Sequence, residues 1–144
     1  MATEAEHTSK TGFAIRPMVY SDLPQVIQLE KDIFPDPWSQ QSFNESLKEE
    51  RVGSWIVETC NRIIGYMITL WVEDEIHILN LAVDKAFRRQ RIASRMLSTL
   101  ENLAMEHGSS HFWLEVRSSN LVAQKFYTQH GFKPLGYREG YYRN

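Results

Sequence analysis

Residues 78–101 read ILNLAVDKAFRRQRIASRMLSTLE, and this stretch decides the fold. Its first part belongs to an apolar run, residues 76–83, that is typical of a buried β-strand. Its second part carries apolar residues at helical spacing from residue 92 to residue 107, and Gly108 follows as a natural helix stop. The stretch therefore predicts a strand that passes through an arginine-rich turn directly into a helix.

The turn between this strand and this helix is suited to an anion. The helix N-terminus offers unpaired backbone N–H groups and the positive end of the helix dipole. Four side chains add donors suited to phosphate: Arg88, Arg89, Arg91 and Arg95. We therefore expect a phosphate or pyrophosphate here, although the turn lacks both GK[ST] and GxGxxG. The alternative is a solvated basic start to a surface helix.

The remaining elements predict a mixed α/β sheet with helices on both faces. The early strands can pair antiparallel, whereas the strand–helix–strand crossover over residues 76–117 favours a parallel pair. We expect residues 1–12 to form a disordered tail and residues 13–144 to form a single domain. In the strand at 111–117, alternate residues should face opposite sides of the sheet.

Composition excludes several classes of protein. The chain has 144 residues and a net charge of −2, which argues against a dedicated nucleic-acid binder. Cys60 is the only cysteine, so an intrachain disulfide and a cysteine-based zinc site are excluded. The histidines show no ligand spacing, and we predict no metal. The sequence shows neither a secretory signal nor an apolar run long enough to span a membrane, so we expect a cytoplasmic protein without a membrane partner.

The opening stretch resembles the acetyl-CoA-binding core of the GNAT superfamily of N-acetyltransferases. On the motif [Q/R]-x-x-G-x-[G/A], Arg88 matches the first position and Ala93 the last, while Arg91 stands where the middle glycine is usual. Residues 113–132, WLEVRSSNLVAQKFYTQHGF, and the earlier segment PWSQQSF are similar to the RimI-type ribosomal-protein alanine N-acetyltransferases within it. The resemblance extends over about residues 13–142.

The resemblance implies roles for individual residues. Glu115 matches the general base and Tyr127 the acid that protonates the leaving thiolate, and Asn120 matches a coenzyme-binding residue. The expected acetyl-CoA-binding positions are Leu81, Ala82, Val83, Arg88, Arg89, Gln90, Arg91, Ile92, Ala93, Ser94 and Asn120. The alternatives are structural: a surface Glu beside Arg117, an aromatic residue packed on the sheet, and a plain helix N-cap.

The resemblance also implies residues on the side of the site that binds the acceptor. Trp38, Tyr141 and Tyr142 resemble substrate-side positions of the family. His77 and Glu75 are the runners-up for the base, because other members of the superfamily use this region, although a lone strand histidine is more often structural.

The chain departs from the family pattern at two places. Arg91 replaces a glycine that lets backbone approach a pyrophosphate, and its N–H remains usable if its φ is negative. We expect a weakened or altered coenzyme contact there. The family's sheet normally gains one further strand after its tyrosine-rich segment, and the chain ends at YYRN. We therefore expect the last strand to be missing, which leaves either a frayed terminus or an exposed edge that invites pairing with another chain, and we expect a monomer or a weak homodimer.

The resemblance implies an enzyme that transfers acetyl from acetyl-CoA to the N-terminal alanine of a small-subunit ribosomal protein. Transfer should be direct, within a ternary complex and without an acyl-enzyme. Two alternatives stay open. One is a related acetyltransferase of a small-molecule amine, and the other is a weakly catalytic acetyl-CoA-binding or interaction module.

Overall fold

A computed structural model of the chain describes residues 12–135 and 140–143. The strands are β1 Ala14–Pro17, β2 Val52–Thr59, β3 Arg62–Val72, β4 Glu75–Val83, β5 His111–Glu115, β6 Lys133–Pro134 and β7 Gly140–Arg143. The helices are α1 Leu23–Ile33, α2 Gln40–Lys48, α3 Ile92–Glu106 and α4 Leu121–Gln129. Apart from Gly12, the tail expected at residues 1–12 lies outside the described residues. No helix within the described ranges is both long enough and apolar enough to cross a membrane.

The strands form one seven-stranded sheet in the order β1-β2-β3-β4-β5-β7-β6. Among the strands of the described residues, only β4 and β5 run parallel, joined by the crossover through α3, and every other pair is antiparallel. The predicted mixed α/β fold is confirmed. The turn between β2 and β3 is a two-residue hairpin in which Cys60 and Asn61 both have positive φ, as a type I′ turn requires.

The expectation that the last strand is missing needs a correction. The tyrosine-rich segment itself forms β7, which pairs with β5 on one side and with β6 on the other. Its alternation matches that of β5, because Tyr141 lies opposite Leu114 and Tyr142 lies opposite Trp113. One tyrosine side chain therefore points into the core and the other points away from it, as the alternation of side chains along a β-strand requires.

Helices cover the sheet on both faces and create two cores. One core lies under α3 and α4 and contains Met96 and Leu100, each 1% exposed or less. The other lies under α1 and α2 and contains Val26 and Phe43. Phe112 and Leu114 of β5, and Val116 directly after it, belong to the first core, as the alternation predicts.

The sheet opens between its two parallel strands. The pairing of β4 with β5 extends from Glu75 to Ile78 and then stops, although β4 continues to Val83. The register between β3 and β4 shifts at the same level, which leaves Leu79 as an extra residue in β4. A bulge of this kind bends a strand away from its neighbour. Within the described residues, the last part of β4 therefore has no strand partner on the β5 side.

Candidate active site

A cavity of about 300 Å³ lies where β4 and β5 separate. Its walls include His77 and Leu79 from β4, Trp113 and Glu115 from β5, and Gly140 at the start of β7. Leu79 is 41% exposed, which is unusual for a leucine in an inner strand. The opening thus combines an apolar wall, aromatic side chains and a carboxylate, the composition expected of a small-molecule or peptide site.

Glu115 is the last residue of β5 and lies opposite Gly140 of β7. Its side chain is exposed and lines the cavity on the same side as Trp113. Two residues further on, the guanidinium group of Arg117 contacts the carboxylate of Asp36 in the connection between α1 and α2. The end of β5 therefore places an exposed carboxylate residue beside the cavity, where it can accept a proton from a bound amine.

His77 lies in the same cavity as Glu115. Its ring is nearly parallel to that of Trp113, with 6.3 Å between the ring centroids. Its Nε2 atom lies 3.2 Å from Oε1 of Glu75, within hydrogen-bond distance. His77, a runner-up for the base, and the favoured Glu115 are thus brought together in one cavity.

Tyr127 lies in α4 and is buried against the sheet. Its ring packs edge-on against Phe126 and Phe132, with centroid separations of 5.2 and 5.3 Å. Burial raises the pKa of the Tyr127 hydroxyl above its ordinary value, so the phenol stays protonated at neutral pH. The packing role considered for this residue is therefore real, and its role as an acid stays a prediction.

The arginine-rich turn presents only part of its sequence to a ligand. Arg89, Gln90 and Arg91 are exposed, whereas the side chain of Ile92 is 3% exposed and belongs to the core. Arg88 donates from Nε to the carbonyl oxygen of Val83 at 3.2 Å, which links the turn to the end of β4. The exposed arginines and the α3 N-terminus leave the turn open to an anion.

Two other predicted coenzyme positions have structural partners of their own. The hydroxyl of Ser94 lies 3.1 Å from Nε2 of His130, at the end of α4. The side chain of Asn120 caps α4 by accepting a hydrogen bond from the backbone N–H of Ala123 at 3.1 Å. The helix-cap role of Asn120 is thus observed, and its coenzyme role stays a prediction.

Arg91 adopts a backbone conformation that favours glycine. Its φ is 61° and its ψ is 24°, in the left-handed region, and Arg89 has a φ of 67°. The negative φ that we considered for Arg91 is therefore wrong. The sharp entry into α3 imposes a left-handed residue, and an L-residue with a long side chain adopts it at a cost of about 1 kcal/mol or more.

Replacing Arg91 with Gly should stabilise the fold. We expect the free energy of unfolding to rise by roughly 0.5–1 kcal/mol, because relief of the left-handed strain exceeds the entropy that glycine adds to the unfolded chain. Urea denaturation followed by circular dichroism measures the change. The matched control is Gln90→Gly in the same exposed turn, where φ is not positive. That variant should lose stability, and a loss in Arg91→Gly would contradict the strain.

The acceptor-side residues lie at three different places. Trp38 stands before α2 with its ring 5.3 Å from that of Phe43, at the edge of the second core. Tyr142 packs against Trp113 with 4.2 Å between the ring centroids, on the same face as the cavity. Tyr141 lies on the opposite face and is 9% exposed in the first core. Only Tyr142 of the tyrosine pair therefore shares a face with the cavity.

Glu30 is a feature that sequence reasoning missed. It lies in α1, is 2% exposed, and its carboxyl group contacts both β3 and β4. The available signal was a glutamate directly beside the apolar positions that α1 turns toward the sheet. Among the described residues, no group of three His, Cys, Asp or Glu side chains is arranged to hold a metal ion.

Two solved acetyltransferases illustrate the similarity of this fold to known structures. The ribosomal-protein-S18-alanine N-acetyltransferase from Escherichia coli superposes with a TM-score of 0.78 at 26% identity, over 90% of each chain. The PaiA N-acetyltransferase from Thermoplasma acidophilum, solved in complex with coenzyme A, superposes with a TM-score of 0.76 over 92% of this chain and 98% of that one. At 17% identity, this second likeness concerns the fold alone.

The superposition on the Escherichia coli enzyme and the family and sequence matches below place the chain in the class of acetyl-CoA-dependent N-acetyltransferases. The model of the Acetyltransferase (GNAT) family matches residues 23–132, and the chain belongs to this family. The ribosomal protein bS18-alanine N-acetyltransferase of Haemophilus ducreyi is 34% identical over 128 residues, which cover 89% of this chain and 88% of the relative. The predictions of family and of an acetyl-CoA-dependent N-acetyltransferase are confirmed.

Proposed function

We propose that the chain transfers the acetyl group of acetyl-CoA to the α-amine of an N-terminal alanine on a small-subunit ribosomal protein. One observation carries the proposal: the opening between β4 and β5 holds the carboxylate of Glu115. The name of the Haemophilus ducreyi relative, which matches along nearly the whole chain, supports the choice of acceptor.

The residues at the opening fit acetyl-CoA as the donor. The last part of β4, including Leu81, Ala82 and Val83, offers backbone groups without a β5 partner. Strand-like backbone of this kind can hydrogen-bond an extended amide-containing arm. The N-terminus of α3 and the exposed arginines beside it suit a pyrophosphate. Acetyl-CoA supplies an activated thioester, and all other steps are assigned to side chains and backbone of this chain.

The acceptor must lose a proton before it reacts. An α-amine has a pKa of about 8, so most of it is protonated at neutral pH. We assign the removal of this proton to Glu115, directly or through one water molecule, with His77 as the neighbouring alternative. The Tyr127 hydroxyl remains protonated at neutral pH, and we assign it to donate a hydrogen bond, and then its proton, to the departing sulfur.

We propose that transfer is direct, and the placement of the only cysteine supports this. Cys60 lies in the β2–β3 turn and does not line the cavity. Among the described residues that line the cavity there is no thiol to form an acyl-enzyme, which supports passage of the acetyl group to the amine in a ternary complex. Tyr142 and Trp113 border the acceptor on the cavity face, and Trp38 stands in the connection between α1 and α2.

Mass spectrometry of acetyl transfer tests this function. The protein is mixed with acetyl-CoA and peptides that begin with free alanine, or with matched peptides that are blocked at the N-terminus and carry lysine. A gain of one acetyl group confined to the free alanine ends is the expected result. Transfer only to small amines such as polyamines would establish the alternative acetyltransferase, and bound acetyl-CoA without any transfer would overturn the enzymatic role.

A further inference from the structure

The carboxyl group of Glu30 is buried where α1 meets the sheet. Its Oε1 accepts hydrogen bonds from the hydroxyl of Tyr66 at 2.5 Å and from Nδ2 of Asn80 at 2.8 Å. Its Oε2 accepts one from the backbone N–H of Trp38 at 2.9 Å. None of the ion pairs among the described residues involves Glu30. Since a buried carboxyl group is costly unless its oxygens are bonded, these three donors hold it in place.

Two of the three donors belong to two segments beside the opening, β4 and the α1–α2 connection, which we call its walls here, although neither Asn80 nor Trp38 lines the cavity itself. Asn80 directly follows the bulged Leu79 in β4, at the level where the pairing with β5 has ended. Trp38 lies near the end of the connection between α1 and α2. Asp36 of the same connection contacts Arg117, two residues beyond the end of β5. A single carboxyl group thus ties the strand on one side of the opening to the connection on the other side.

The third donor is different, because it does not belong to either wall. Tyr66 lies in β3, is fully buried in the second core and packs on Phe43. Burial and its hydrogen bond to Glu30 raise the pKa of the Tyr66 hydroxyl, so that it remains a donor. The Tyr66 bond therefore stabilises the carboxyl group without contacting the opening.

We propose that Glu30 is a positioning residue that holds the β4 segment and the α1–α2 connection in one fixed arrangement. The proposal deepens the proposed acetyl transfer and rests on it, because β4 is there assigned to the donor and the connection to the acceptor side. Glu30 does not line the cavity and does not contact the reacting groups. Its effect on the reaction is the relative placement of the two substrates, to which transfer rates are highly sensitive.

Replacing Glu30 with Leu tests the link. Leucine has a similar volume and no acceptor atoms, so it removes the link and leaves the three donors without this partner, at a cost in stability that is measured alongside activity. We expect kcat/KM for an alanine-ended peptide to fall about 100-fold, because the two walls lose their common anchor. Glu30→Gln should recover most of the activity. Its carbonyl oxygen can accept from Trp38, and its amide can donate to Asn80 once the Asn80 carboxamide has flipped.

Asn80→Ala and Tyr66→Phe form a matched pair, because each removes one donor from the same carboxyl group. Asn80→Ala should reproduce the loss in kcat/KM, and it also serves if Glu30→Leu does not fold. Tyr66→Phe should retain turnover. Full activity in folded Glu30→Leu would overturn the proposal. The proposal would also be overturned if Asn80→Ala and Tyr66→Phe lost kcat/KM equally and these losses only tracked the decreases in their melting temperatures.

Amide hydrogen exchange gives a readout that is independent of turnover. In Glu30→Leu, exchange at the amides of Trp38 and of residues 79–81 should become faster, whereas Tyr66→Phe should leave these amides unchanged. Unchanged exchange in Glu30→Leu would overturn the link whatever the activity of the enzyme. Wild-type protein that acetylates no amine would instead overturn the proposed function, and the exchange test of the link would still stand.

Discussion

Replacing Glu115 with Gln is expected to lower kcat for α-amine acetylation by about 1,000-fold, within the range that a positioned general base contributes. Glutamine keeps the size and polarity of the side chain at the end of β5 but cannot accept the ammonium proton. The dissociation constant of acetyl-CoA should stay within a factor of about two, because the coenzyme contacts are assigned to β4 and the α3 turn. Steady-state kinetics with an alanine-ended peptide and calorimetric titration with acetyl-CoA measure the two quantities.

Glu106→Gln is the matched control for this experiment, since Glu106 is an exposed glutamate at the last turn of α3. It should leave both quantities unchanged. If Glu115→Gln turns over peptide like the wild type, Glu115 is not the base. A large loss in His77→Gln, together with full activity in Glu115→Gln, would then assign proton removal to the other acceptor in the cavity.

Local patterns predicted most of the fold. The strand–turn–helix of residues 78–101 could be read from apolar spacing alone, because β4 and α3 are each specified by neighbouring residues. Simple alternation predicted the two faces of β5 and placed the side chain of Glu115 on the face away from the core-facing Leu114. Resemblance to the family then supplied chemistry that the spacing could not, in particular the roles proposed for Glu115 and Tyr127.

The features that the sequence did not reveal depend on contacts between distant residues. The bulge at Leu79 appears only when β4 is paired with β3. Glu30 and Asn80 are fifty positions apart, and neither has a local pattern that marks it as one of a pair. The left-handed conformation of Arg91 follows from the geometry of the turn, which arginine does not favour by itself.

The short last strand is a further case. GYYR carries no turn signal and no long apolar run, so its place in the sheet depends on the β5 register that it completes. Arg143 lies over the rings of Phe112 and Phe132 and contacts Glu101 of α3. These contacts tie β7 to the first core, and none of them is visible from the order of residues along the chain.

Replacing Tyr127 with Phe is expected to lower kcat by about 100-fold, at the lower end of the range for a lost proton donor. The ring contacts with Phe126 and Phe132 are retained, so the fold should be preserved. Burial raises the pKa of the Tyr127 hydroxyl, which keeps it protonated but also makes it a reluctant acid. The role that we propose for the hydroxyl is therefore mainly to hydrogen-bond the sulfur as it departs, and its loss should reduce kcat more than the affinity for acetyl-CoA.

Tyr20→Phe provides the control, because Tyr20 is 52% exposed on the surface before α1 and should tolerate the change with no effect on kcat. Alkaline unfolding gives an independent readout of the buried phenol. Because the folded pKa of Tyr127 exceeds the unfolded value of about 10, the wild type loses stability above that pH as the unfolded phenol ionises. The Phe variant lacks this loss and should lose less stability there. If the Phe variant shows this alkaline behaviour but retains full turnover, Tyr127 only packs in the core. Solvent would then protonate the departing thiolate.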